Sequence, residues 1–181
     1  MTRLTAINPD EATGKAKQLL DGVQQKLGLT PNLMRTFANS PAVLEAYLNF
    51  SGALGEGLLD AKLREQIALA VAEANSCEYC LSAHTAIGKM VGLNEGDLTA
   101  ARQAKASDAK TETALQFARE IVVKRGEVSD ADWQAVKDAG YGEGEIAEII
   151  ANVALNIFTN YFNHIARTEV DFPLIALTKT A

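Results

Sequence analysis

The only two cysteines of the 181-residue chain, Cys77 and Cys80, stand three residues apart in "SCEYCLSAH", and one of its only two histidines, His84, follows four residues later. On a helix, spacings of three and four put all three side chains in one narrow stripe, where they can meet a single small molecule. Ser76 is a good N-cap, which would place both thiols in the first turn, where unpaired amides and the helix dipole stabilise a thiolate. The dipole by itself favours Cys77, nearer the N-terminus, as the lower-pKa thiol. A Cys-x-x-Cys pair can also close into a disulfide, which gives the two-electron couple of a thiol oxidoreductase. The alternative chemistry is a metal site: Cys77, Cys80 and His84 supply three of the four ligands of a closed zinc site, and Glu65 or Glu73 could complete it.

Those two acids also bear on proton transfer. If one helix ran straight through the segment, Glu73 would lie one turn before Cys77. Asn75 and Ser76 instead suggest a turn, in which case Glu65, twelve residues before Cys77, folds back toward the thiols from the preceding helix. Helix periodicity alone does not choose between them.

The elements that must carry these residues are helices. Apolar residues recur at three-to-four spacing in nearly every long segment and no stretch alternates as a strand does, so the fold class is all-α, a single helical bundle over residues 1–181. Helix starts are marked by Ser40 with Pro41, by Asp60, by Asn94 with Asp97, by Asp108 and by Ser129. Gly92, Gly126 and Gly140 stand where left-handed residues close helices. A strongly apolar helix runs from about Ile146 to Ala166 and is central or at a subunit interface. Residues 1–35 form an arm wrapped on the bundle. A shift of 80 residues aligns Glu145 and His164 with Glu65 and His84 and hints at a duplicated unit; the structural reading of His164 is that it holds a helix end or an oligomer contact. Phe158, Tyr161 and Phe162 have the spacing of core or interface residues.

Composition removes several classes of function. Seventeen basic and twenty-three acidic residues give a net charge of -6 without a basic run, so neither nucleic acid nor an anionic membrane is expected as a partner. The N-terminal "MTRLTAINPDEATGKAKQLL" has no secretory signal pattern and no apolar run reaches bilayer length, so a cytoplasmic protein is expected. In a reducing compartment a close cysteine pair reads as catalytic, redox-sensing or metal-binding.

The segment "LREQIALAVAEANSCEYCLSAHTAIGKMVGL" resembles the alkylhydroperoxidase D and carboxymuconolactone decarboxylase superfamily, through Glu65, Cys77, Cys80 and His84 in the order Glu-x11-Cys-x2-Cys-x3-His. The similarity continues in "TPNLMRTFANSP" and "GEIAEIIANVALNIFTNYFNHIARTEVDFP" and so spans most of the chain. It implies an alkylhydroperoxidase D-type helical fold, a homo-oligomer (trimer or hexamer), and reduction of organic hydroperoxides without a cofactor or metal. It makes Cys80 the peroxidatic thiol, Cys77 the resolving thiol, and Glu65 and His84 a proton relay, with a dithiol reductant such as a thioredoxin-like protein or lipoylated carrier reopening the disulfide. Some relatives carry a histidine just before the second cysteine, where this chain has Tyr79. A carboxymuconolactone decarboxylase-like lyase is the second reading, disfavoured because decarboxylation needs no dithiol. A non-enzymatic redox sensor or metal-binding module is the third.

Overall fold

The computed structural model describes residues 1–178 of the chain. Among them nine helices occur and no strand: α1 Gly14–Leu27, α2 Asn32–Phe37, α3 Pro41–Gly55, α4 Ala61–Ala74, α5 Glu78–Met90, α6 Glu95–Arg102, α7 Ala109–Val123, α8 Asp130–Asp138 and α9 Glu143–Ala166. The fold class is therefore all-α, and no helix among the described residues is long and apolar enough to cross a membrane.

The helix starts follow the side chains that satisfy free N–H groups. Asp60, Asn94, Asp108 and Ser129 each accept from the backbone N–H three residues on, at 2.8, 3.0, 2.8 and 3.2 Å, and each such cap contributes about 1 kcal/mol. Pro41 opens α3, although the Ser40 side chain makes no cap bond. Gly92, Gly126 and Gly140 all take positive φ just beyond α5, α7 and α8. Helix α9 begins three residues earlier than the apolar pattern indicates, because the Gly142 N–H donates to Glu145 Oε2 at 2.8 Å and closes a first turn that carries no apolar face.

Helix α4 is the axis of the bundle and packs against α5, α6, α7 and α9. Its segment from Gln66 to Ala72 is buried on every face. Alternation of large Ile67, Leu69 and Val71 with small Ala68, Ala70 and Ala72 fills the space while letting neighbouring helices come close. Residues 1–35 contribute α1, which sets Leu20 and Val23 into the core and packs on α3.

The corner between α4 and α5 departs from expectation. Ser76 is not the N-cap of the cysteine helix; its φ is +56°, in the left-handed region, and it closes α4 instead. The Ser76 N–H donates to the Glu73 carbonyl at 3.0 Å and the Cys77 N–H to the Ala72 carbonyl at 2.9 Å, the pair of bonds that a left-handed closing residue allows. Cys77 is thereby the N-cap of α5, and Cys80 is the third residue of that helix. Serine here costs on the order of 1 kcal/mol relative to an unstrained residue. Helix α9 braces the corner: Asn75 Nδ2 donates to Asn160 Oδ1 at 2.9 Å, and His164 Nε2 donates to the Asn75 carbonyl at 2.8 Å. The structural reading of His164 as the holder of a helix end is what the geometry shows. The duplicated-unit alignment has no spatial counterpart, since Glu145 and His164 lie near opposite ends of α9 whereas Glu65 and His84 face each other from two helices.

Candidate active site

The α4–α5 hairpin explains which acid meets the cysteine helix. Glu65 and His84 stand at nearly equal distances in sequence on either side of the Asn75–Ser76 corner. Two antiparallel helices rising at about 1.5 Å per residue bring such positions side by side. His84 Nδ1 and Glu65 Oε2 are 2.7 Å apart, with the two side chains 20% and 16% exposed. Glu73, two turns further along α4, is bound elsewhere: Arg102 Nε donates to it at 2.7 Å and the Thr178 N–H at 2.7 Å. The hairpin geometry thus settles what helix periodicity left open and brings Glu65 to the thiol helix.

Cys80 lies one turn from His84 toward the corner, and both cysteines are buried and unbridged. Cys80 faces α9, where Asn163 Nδ2 donates to its Sγ at 3.3 Å and Thr159 Oγ1 lies 3.9 Å away. A hydrogen bond from the Cys77 thiol, the positive charge of His84 and the amides of Asn163 and Asn160 together outweigh burial and bring the Cys80 thiol down to about 6. The same Cys77–Cys80 hydrogen bond pushes Cys77 up, with burial adding to it. The dipole-based expectation that Cys77 would be the more acidic thiol is therefore reversed. Cys77 occupies the cap position outside the first turn, while Cys80 receives the local donors, which exceed a dipole contribution of about 0.3–1 kcal/mol.

His84 is pulled down by burial, but the charge and hydrogen bond of Glu65, with the Cys80 thiolate, outweigh this and hold it above its ordinary value. Glu65, His84 and Cys80 thus stand in a chain in which His84 is held toward its charged form by Glu65 and in turn favours the thiolate of Cys80. Tyr47 borders it, and burial with the Glu65 charge raises its phenol to about 12, so it remains a neutral donor. A cavity of about 70 Å³ opens against Tyr47, Glu65, His84, Asn156 and Thr159. It has room for the polar head of a small ligand. Among the described residues no group of three or more His, Cys, Asp or Glu side chains is arranged to hold a metal ion.

The chain and its site define an all-helical protein that presents a Cys-x-x-Cys pair beside a carboxylate–histidine pair. It is similar to the alkylhydroperoxidase D and carboxymuconolactone decarboxylase superfamily. The carboxymuconolactone decarboxylase family model matches residues 41–124, the stretch that carries α3 to α7 and all four motif residues. A peroxidase-related protein of Ralstonia eutropha JMP134, described as an alkylhydroperoxidase AhpD core, superposes with a TM-score of 0.84 at 25% identity, covering 94% of this chain and 92% of that one. A peroxidase-related protein of Silicibacter sp. TM1040 gives 0.80 at 24% identity, with 93% and 94% covered. The debrominase Bmp8, in a cysteine-to-alanine variant bound to 2,3,4-tribromopyrrole, gives 0.82 at 21% identity over 94% and 92% of the two chains. A 45-residue stretch is 56% identical to an uncharacterized protein of Haemophilus influenzae, and the matched part is 24% of this chain and 40% of that protein.

Sequence reasoning missed the contribution of α9. Asn152, Asn156, Thr159, Asn160 and Asn163 are all buried, and they line the side of α9 that faces the α4–α5 hairpin. Their spacing of four, three, one and three within an otherwise apolar helix was a readable signal, because buried amides are retained where they find a polar partner. What that partner is depends on packing 80 residues away in sequence.

Proposed function

We propose that the protein is a thiol-dependent peroxidase that reduces organic hydroperoxides through a Cys77–Cys80 dithiol/disulfide cycle. The observation that carries this reading is the Glu65–His84 pair, which supplies positive charge and a proton next to a thiol held at about 6. The Cys80 thiolate attacks the terminal oxygen of the hydroperoxide, the O–O bond breaks, and the alkoxide takes a proton from His84 to leave as alcohol. Cys80 is then a sulfenic acid. Cys77, hydrogen-bonded to Cys80, attacks its sulfur, water leaves, and a disulfide closes. Glu65 keeps His84 protonated for the next turnover, and a dithiol reductant returns two electrons.

Dithiol-supported consumption of an alkyl hydroperoxide tests the assignment. Activity should vanish in Cys80→Ser, while Cys77→Ser should react once and stop at the sulfenic acid, read by mass spectrometry. Full turnover in Cys80→Ser would sink the assignment, whereas the lyase alternative is favoured only by a decarboxylase activity that survives replacement of both thiols. The working assembly is a homo-oligomer, trimer or hexamer, supported by an exposed apolar stripe on α9 formed by Ile150, Phe158, Tyr161 and Ile165.

A further inference from the structure

We infer that the reductant does not follow the peroxide into the site: a separate groove on the opposite face of the dithiol, walled by the end of α9 and the segment after it, admits a dithiol that attacks Cys77. The inference rests on the peroxidase reading only for the identity of the oxidant; the groove and the exchange step apply to any Cys77–Cys80 disulfide.

Three observations converge on this groove. First, Cys77 lines a cleft of about 230 Å³ together with Tyr79, Asn163, Arg167, Thr168 and Leu177, whereas the cavity beside Glu65 and His84 is bordered by neither cysteine's neighbour Tyr79 nor by any residue of the C-terminal segment. The two openings share no lining residue. Second, two residues that line the cleft carry buried polar atoms without partners, just beneath its surface. Asn163 Oδ1 and Thr168 Oγ1 are both buried with no hydrogen-bond partner, and Asn163 is only 4% exposed. A buried acceptor left unmatched costs about 1–3 kcal/mol, so a ligand that donates to it recovers that energy. An incoming thiol S–H is such a donor, and the other end of the same amide already holds Cys80 Sγ at 3.3 Å. Third, two residues of the cleft other than glycine sit at positive φ, Ser76 at +56° and Arg167 at +52°. Backbone strain of this kind persists where surrounding structure holds it, and it concentrates at ligand sites.

The chemistry gives the direction of attack. In thiol–disulfide exchange the sulfur with the more acidic thiol leaves faster. Cys80 is the acidic thiol and Cys77 the basic one. A reductant thiolate therefore bonds to Cys77 Sγ, the Cys77–Cys80 bond breaks, and Cys80 departs as a thiolate next to His84 and the Asn163 amide. The reductant's second thiol, deprotonated, then attacks its own sulfur in the mixed disulfide. It leaves as an oxidised disulfide, and the basic Cys77 takes up a proton. Two electrons pass from the dithiol to the protein, and the dithiol's two protons are shared between Cys77 and the solvent or His84 side. Attack on Cys80 instead would have to expel the poorer leaving group, from a sulfur enclosed by α9.

The test prepares the Cys77–Cys80 disulfide with diamide, so that it is independent of peroxide. The oxidised protein is treated with 2-mercaptoethanol, quenched in acid and mapped by peptide mass spectrometry. The mixed disulfide should sit on Cys77 in about tenfold excess over Cys80; an adduct mainly on Cys80 overturns the inference. In parallel, Leu177→Trp places bulk in the cleft from the irregular C-terminal segment, outside the helical core. It should slow reduction of the diamide-formed disulfide by dithiothreitol at least about fivefold by restricting access, and any smaller effect overturns the groove as the entrance. Failure of an alkyl hydroperoxide to oxidise the reduced protein would remove the peroxidase reading while leaving both of these results interpretable.

Discussion

Glu65→Gln separates the charge of the relay from its shape. The amide keeps the volume of the carboxylate and can still accept from His84 Nδ1, but it removes the negative charge 2.7 Å from the ring. Without that charge the burial of His84 is unopposed by its principal partner, and the imidazole's affinity for a proton falls. Hydrogen bonds to charged groups contribute about 1.5–3 kcal/mol, and the exchange forfeits the charged part of one of them. Loss of the imidazolium then withdraws the attractive charge that helps hold Cys80 at about 6.

The consequence can be counted in thiolate. With its thiol at about 6, Cys80 is about nine-tenths ionised at pH 7, and each unit of upward shift corresponds to about 1.4 kcal/mol. A rise of one unit leaves about half ionised and a rise of two leaves about a tenth. The assay is the rate of Cys80 alkylation by iodoacetamide against pH, read by mass spectrometry. Wild type should show a midpoint near 6, and the Glu65→Gln midpoint should lie at least about one unit higher. An unchanged or lowered midpoint would refute the reasoning, since it would mean that the Cys80 thiolate is stabilised without His84. The effect of the variant on peroxide reduction should exceed its effect on thiolate population, because a neutral His84 is also a poorer proton donor to the alkoxide.

Asn163→Ala removes the amide donor 3.3 Å from Cys80 Sγ, and the loss of one hydrogen bond to an anion should raise the alkylation midpoint by about one to two units while leaving the Glu65–His84 pair in place. Glu73→Gln should weaken the hold on the C-terminal segment, where Arg102 and the Thr178 N–H both donate to the carboxylate, and should lower stability by about 1–3 kcal/mol at pH 7 in urea melts. Hydrogen bonds from Arg102 and Thr178 outweigh burial and hold Glu73 below its ordinary value. Its stabilisation is therefore present above the unfolded-state value and lost as pH falls through the lower folded one, so the gap between variant and wild type should narrow in acid below the ordinary carboxylate range. The proposed homo-oligomer is tested by Tyr161→Glu with Ile165→Glu, which puts charge on a stripe whose two residues are 54% and 65% exposed: light scattering should show a smaller particle than wild type while the circular dichroism stays helical.

The readable parts of this protein are those whose causes are local. Asp60, Asn94, Asp108 and Ser129 signalled their helices because a cap acts on the N–H three residues away, and Glu65 could be nominated because Asn75 and Ser76 mark a chain reversal. Even so, the role of Ser76 was inverted. A serine before a helix satisfies the N-cap preference, but Ser76 is the left-handed residue that ends α4, and the sequence shows neither φ nor the clasp of Asn160 and His164 that steadies the corner. The acidity of Cys80 was less legible still. Spacing alone could give both thiols the benefit of a helix N-terminus, whereas the structure distributes donors unequally: α9 supplies Asn163 to Cys80, the hairpin supplies His84, and Cys77 gives a hydrogen bond instead of receiving one. The asymmetry of the pair is thus a tertiary property. It follows that transplanting the Cys-x-x-Cys-x3-His segment to another helix would carry over Cys77 and His84 but give a less acidic Cys80, because the amides of Asn163 and Asn160 lie on α9 and the Glu65 carboxylate that holds His84 charged lies on α4.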